Sequence, residues 1–210
     1  MRIILVRHGQ TAWNKKNIFR GRVDISLDNT GRQQAQAIAE RLSASNIDSI
    51  YSSPLKRALE TTRIIKAKLK IDGAIDDDLT DIDFGGWEGL SFEAVEEQYP
   101  ELYGLWLTDP HKVKIPDGED LASVRNRASK VLNRALNSER SVIAVVSHRV
   151  ILKTFICAAL SLDNSYFWQI KQDLGAISIL DYQNERFTLS VLNDTCHIDK
   201  AKHAKESKDF

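Results

Sequence analysis

Two short runs of uninterrupted apolar residues, Ile3-Ile4-Leu5-Val6 and Val142-Ile143-Ala144-Val145-Val146, constrain this chain more than any other feature. Neither alternates polar with apolar, so neither fits a strand with one face in water. Short runs rich in β-branched residues fit strands buried on both faces. Sheets covered on both faces are the parallel sheets of α/β proteins. Each run ends in polar side chains, Arg7-His8-Gly9 after the first and Ser147-His148-Arg149 after the second. In open α/β sheets ligands bind beyond the carboxyl ends of the strands. If the two strands are neighbours, their histidines meet there.

The rest of the chain agrees. Over residues 30–42, Ala35, Ile38, Ala39 and Leu42 follow the i, i+3, i+4, i+7 rule of a helix. Residues 47–51 read as a second strand. A helix to about Leu69 follows, with Ser53 as its N-cap and Pro54 at its first position. Residues 119–136 return to helical period, and a helix is expected from Arg149 to about Leu160. Residues 176–181 and 187–192 read as closing strands with Asn184 in their turn. Strands alternating with helices predict an α/β three-layer sandwich, a mostly parallel sheet flanked by helices.

Residues 72–118 are less regular and carry the turn signals Gly85-Gly86, Asp109-Pro110 and Pro116-Asp117-Gly118. They read as an insertion over one end of the sheet. Trp87 and Trp106 lie inside it and Trp13 and Trp168 outside, so the tryptophans are not expected to form one cluster. Residues 1–196 are expected to be a single domain, and the lysine-rich stretch 197–210 a polar, solvated tail.

At 210 residues the chain can bury a full core without staples. Lys plus Arg and Asp plus Glu number 29 each. No global field points to nucleic acid or a membrane surface, so an anion site must be local. Cys157 and Cys196 set no disulfide framework, and Cys157, inside an apolar run, reads as a reduced core thiol. The N-terminus lacks the apolar segment of a signal peptide, and no run approaches a membrane span. A cytoplasmic location is the expectation. No histidine pair has metal-ligand spacing, so neither metal nor other cofactor is expected.

Phosphoryl chemistry fits the remaining residues. A transferring phosphoryl group spreads negative charge over its equatorial oxygens, and arginine forks bind such oxygens bidentately. Arg7 and Arg57 are the candidate clamp. A neutral His8 imidazole between them could attack phosphorus and form a phosphohistidine, and the arginines disfavour its protonation. His148 would donate hydrogen bonds to the developing charge. The leaving oxygen needs a proton from a positioned acid. Spacing alone leaves Asp81, Asp83 and Glu88 open.

Together these residues resemble the histidine phosphatase superfamily, also called the phosphoglycerate-mutase-like family. The resemblance rests on residues 7–14 (RHGQTAWN), Phe19-Arg20-Gly21, residues 52–58 (SSPLKRA), Gly85 to Gly89, Asp117-Gly118-Glu119 and Val146-Ser147-His148, in this order. It implies that His8 is the phosphorylated residue and that Arg7, Arg57 and His148 complete a phosphate pocket. Asn14 and Gly21 match positions lining the pocket rim, and Arg20 a rim position that varies. Asp81 falls where the family usually has a glutamate proton donor. Arg149 stands where many members have glycine. The region 95–124 also resembles metal-independent phosphoserine phosphatases, with Phe84 where those have a histidine, and alpha-ribazole phosphatases share the general pattern. The resemblance implies a metal-independent phosphatase acting on a small phosphorylated metabolite, with mutase-type transfer and phosphate binding with little turnover as alternatives. A homodimer is one option for its assembly.

Overall fold

The structure is a computed structural model, and it describes residues 1–198. In chain order the strands are β1 (Arg2–Arg7), β2 (Ser49–Ser52), β3 (Gly73–Ile75), β4 (Val142–Ser147), β5 (Ile177–Gln183) and β6 (Arg186–Asp194). The helices are α1 (Asn29–Arg41), α2 (Lys56–Leu69), α3 (Phe92–Gln98), α4 (Pro100–Thr108), α5 (Leu121–Leu136) and α6 (Arg149–Ala159). The strands form one sheet in the order β3-β2-β4-β1-β5-β6. β1, β2, β3 and β4 run parallel, while β5 and β6 are antiparallel to their neighbours.

The two unbroken apolar runs are the two central strands. Side chains alternate across a strand, so each run serves two cores. Ile4, Val6, Ala144 and Val146 pack with Ile38 of α1 and Ile65 of α2 on one face. Ile3, Leu5, Ile143 and Val145 pack with Val124 of α5 and Phe155 of α6 on the other. This is the three-layer α/β sandwich with a mostly parallel sheet expected from the sequence. Asn184 and Glu185, with φ of 50° and 60°, make the tight turn joining β5 to β6. No described helix is long and apolar enough to cross a membrane.

Three expectations need correction. The irregular segment does not begin at residue 72, because Gly73 to Ile75 are edge strand β3, paired with Ile50 to Ser52. All three residues are exposed, Ile75 at 60%, so no apolar pattern marks them. Three of the four tryptophans do cluster, while Trp13 makes no ring contact with them among the described residues. Trp87, Trp106 and Trp168 join Phe19, Phe84, Phe92 and Phe167 through ring contacts of 4.8 to 6.4 Å. Sequence distance hid this, since the segment from Phe84 to Trp106 folds back over α6 and the 3-10 turn Asn164–Gln169. The solvated tail does not begin at residue 197: His197 Nε2 donates to Gly175 O at 3.0 Å, and Ile198 is buried. The remainder of the expected tail, 199–210, lies outside the described residues.

Candidate active site

The register of the two central strands builds the site. Arg7 of β1 pairs with Ser147 of β4. The next residues, His8 and His148, therefore leave the sheet edge side by side. The His8 amide donates to Ser147 O at 3.0 Å, and the ring centroids are 5.1 Å apart. β2 flanks β4 on its other side, and the Ser53 amide donates to Val146 O at 3.1 Å. Ser53 thus joins the same edge, and α2 starts just beyond it with Arg57 as its second residue. Ser53 is not the helix cap expected from the sequence. α2 begins at Lys56 with Leu55 in the cap position. The Ser53 Oγ is engaged instead by His148 Nε2 at 2.7 Å and by the Leu55 amide at 3.3 Å.

Hydrogen bonds fix the two ring tautomers. His8 Nδ1 lies 2.6 Å from Gly9 O, which can only accept. Nδ1 therefore carries the proton, and Nε2 keeps its lone pair. In His148 the pattern is reversed. Arg57 Nε donates to Nδ1 at 3.1 Å. Nε2 must then hold the proton and donate it to Ser53 Oγ. In this arrangement the single N–H of a neutral His148 is given to Ser53, and its Nδ1 accepts from Arg57.

Arg57 is fully buried and donates four bonds. Besides His148, it reaches Val23 O at 2.8 Å, Gly21 O at 2.7 Å and Asp81 Oδ2 at 3.2 Å. Asp81 is buried, and its Oδ1 accepts from the Ile82 amide at 3.0 Å. Arg7 is buried, and its Nη1 donates to Gln172 O, in the turn before β5. Burial first, then the charges of Arg57 and Arg7, holds the His8 imidazole well below the ordinary histidine range. Burial and then Arg57 do the same for His148. Both rings are neutral at pH 7.

These depressed values have a consequence for stability. Unfolded histidines bind protons below about pH 6.5, while these two stay neutral in the fold. The unfolded state then holds more protons, so stability falls as pH drops below 6.5. Each ring contributes a slope of about 1.4 kcal/mol per pH unit. Urea midpoints measured between pH 7.5 and 5 are expected to fall, and the fall is expected to be shallower in His148→Gln. An equal slope in that variant would refute the assignment.

A recess of about 370 Å³, counted out to open solvent, lies over these groups. Its polar lining is Arg7, His8, Arg20, Asp81 and Arg149, and Ile18, Phe19, Phe84 and Phe92 supply apolar walls. Of the three carboxylates left open by spacing, Asp81 is the one that lines it. Asp83 accepts from the Gly85 amide and faces Arg22. Glu88 accepts from the Arg22 and Phe84 amides behind Gly21. Gly21 lines the recess with φ +48°, and a Cβ there would lie 1.9 Å from Glu88 Oε1. Only glycine fits without displacing that side chain. Asn14 is not among the lining residues. Its Oδ1 accepts from the Thr11 amide at 2.9 Å and the Thr11 hydroxyl at 2.8 Å, closing the loop after His8.

Sequence reasoning missed several supports. Ser53 was read as a cap and Gln172 not singled out. Arg127 of α5 pairs bidentately with Glu119, at 3.0 and 2.8 Å. Its Nη1 also donates to Asp78 O and Thr80 O, both at 2.8 Å. This fork holds the loop that carries Asp81. Glu119 belonged to a noted motif, Asp117-Gly118-Glu119, but nothing in the sequence named its partner. Among the described residues no three His, Cys, Asp or Glu side chains gather as metal ligands.

The family model described as histidine phosphatase superfamily (branch 1) matches residues 3–195. The chain is 37% identical over 199 residues to phosphoserine phosphatase 1 of Hydrogenobacter thermophilus, covering 94% of each chain. Among solved structures it is similar to YhfR of Bacillus stearothermophilus, with a TM-score of 0.89, 28% identity and 94% and 99% of the two chains covered. The alpha-ribazole phosphatase of Shigella flexneri gives a TM-score of 0.84 at 27% identity, with 92% and 96% covered.

Proposed function

We propose, from the premise that this chain belongs to the histidine phosphatase superfamily (branch 1), that it hydrolyses a small phosphomonoester through a phosphohistidine on His8. Relatives at 37% and 27% identity are named phosphoserine phosphatase and alpha-ribazole phosphatase. These names support phosphatase chemistry and leave the ester itself open. The observation that carries the reading is the state of His8. It is a buried, neutral imidazole with Nδ1 tied to Gly9 O and the Nε2 lone pair unused, in a recess shared with Arg7 and Asp81.

The steps follow from these positions. A phosphoryl dianion enters the recess, where Arg7 and the Arg57 behind it offset its charge. His8 Nε2 attacks phosphorus as the ester P–O bond breaks, while Nδ1 keeps its proton and donates it in a hydrogen bond to Gly9 O. Asp81 is the group placed to pass a proton to the leaving oxygen. Water then attacks the phosphohistidine. Asp81 takes the proton of that water, the N–P bond breaks, and inorganic phosphate leaves. Gly21 shapes the rim. Asn14 acts by holding the His8 loop closed. A reducing, cytoplasmic setting suits the two free cysteines, one buried and one exposed.

Asp81 has a separable test. Asp81→Asn is expected to lower kcat roughly 100-fold on alkyl phosphates, whose leaving alkoxide needs a proton. It should lower kcat far less on p-nitrophenyl phosphate, whose leaving group is stable as an anion. Equal losses on both would assign the proton to another group. The intermediate itself is tested by quenching turnover in base and mapping the peptide that gains one phosphoryl group. Label on any residue but His8 would refute the reading.

A further inference from the structure

Arg20 enters the recess from the loop after the 3-10 turn Asn14–Lys16, and its environment is unusual. Its Nε is buried without a hydrogen-bond partner. Among the described residues its one side-chain hydrogen bond is a long contact from Nη1 to Ile18 O at 3.5 Å. Asp81, the carboxylate lining the recess, is paired with Arg57 at 3.2 Å; it attracts Arg20 through space, but no salt bridge to Arg20 forms among the described residues. Burial, then the charges of Arg7, Arg57 and Arg149, pushes its guanidinium down to about 9. A half-buried cation among like charges is unfavourable unless an anion completes it.

The walls narrow what that anion is. Phe19, held in the aromatic cluster by Phe84 at 4.9 Å and Phe92 at 4.9 Å, precedes Arg20 in the chain and lines the same recess. Ile18 and Val150 add further apolar wall. These surfaces suit the carbon skeleton of a small ester. They offer no hydrogen bonds to a neutral polar tail. The phosphoryl group already has Arg7 beside His8 at the strand ends, and Arg57 behind.

We propose that Arg20 is the specificity residue of this recess, and that it selects phosphomonoesters carrying a second anionic group, a carboxylate or another phosphate, one or two carbons from the ester. This rests on the function proposed above, and the guanidinium fork is the group suited to such an oxyanion pair.

Three esters on one two-carbon frame test it: 2-hydroxyethyl phosphate, 2-phosphoglycolate, and ethane-1,2-diyl bisphosphate. The enzyme is expected to prefer one or both of the doubly anionic esters in kcat/KM. In Arg20→Gln the ratio of kcat/KM for the preferred ester over 2-hydroxyethyl phosphate should fall roughly 10- to 100-fold. Arg20→Lys should restore part of it. A ratio that is unchanged because both terms fall together would make Arg20 a phosphate ligand and overturn the proposal. So would a wild-type enzyme with no preference. Affinities of the same esters for His8→Ala, which cannot turn over, give an independent arm. Discrimination there that vanishes in His8→Ala/Arg20→Gln supports the proposal even if turnover proceeds by another route. Absence of discrimination in His8→Ala refutes it. Failure of His8→Ala to lose turnover strikes the proposed mechanism alone.

Discussion

His8→Ala is expected to lower kcat by roughly 10⁴- to 10⁶-fold while leaving the fold intact, a loss typical of deleting a nucleophile from a site that acts as a unit. The structural cost is small because His8 makes one side-chain bond, Nδ1 to Gly9 O, and that carbonyl is at a loop. Circular dichroism and the urea midpoint at pH 7.5 check the fold, and single-turnover kinetics check the chemistry. His8→Asn keeps a polar side chain of similar reach, yet it offers no lone-pair nitrogen for phosphorus. It should be as inactive as the alanine variant. Substantial turnover in either would show that the lone pair of Nε2 is not the attacking group.

Arg57→Ala is expected to fail in a different way, in stability as well as in rate. The guanidinium is completely buried and ties its helix to three separate segments through Gly21 O and Val23 O, Asp81 Oδ2 and His148 Nδ1. Removing it leaves the Asp81 carboxylate buried without its cation. Breaking a buried pair in this way costs about 3–5 kcal/mol. At roughly 2–4 °C per kcal/mol for a chain of this size, the melting temperature should fall by about 10 °C. Arg57→Lys should recover little, since one ammonium cannot present the planar fork to four acceptors. The double variant Arg57→Ala/Asp81→Asn should be more stable than the sum of its single changes, because the uncompensated charge is gone. Strict additivity would mean that the two side chains are not coupled. The rate on a phosphomonoester should fall roughly 10³-fold in Arg57→Ala.

How much of this was legible in the chain depended on range. The central strands were, because Ile3 to Val6 and Val142 to Val146 admit few alternatives. That their terminal histidines adjoin was not, since it needs the pairing of Arg7 with Ser147, a register set by the whole sheet. The edge strand Gly73–Ile75 was invisible because three exposed residues carry no pattern and take their form from β2. Ser53 was legible as a polar residue before Pro54, yet its partner His148 is 95 residues away. The same holds for Arg127, which grips the Asp81 loop from α5. Spacing could not choose between Asp81, Asp83 and Glu88. The choice came from which carboxylate faces the recess, and the other two are held by backbone amides of neighbouring turns.

The position of β1 has a bearing on how the molecule is made. It precedes the other five strands in the chain, yet it pairs with β4 and β5, at residues from Val142 to Asp181. Arg7 also leans on Gln172 O. On the ribosome the amino-terminal segment must therefore wait, apolar and unpaired, until most of the polypeptide has emerged. Shortened products that stop ahead of the final hairpin would carry His8 with no pocket around it. Burial of the His8 imidazole thus waits on the synthesis of β5.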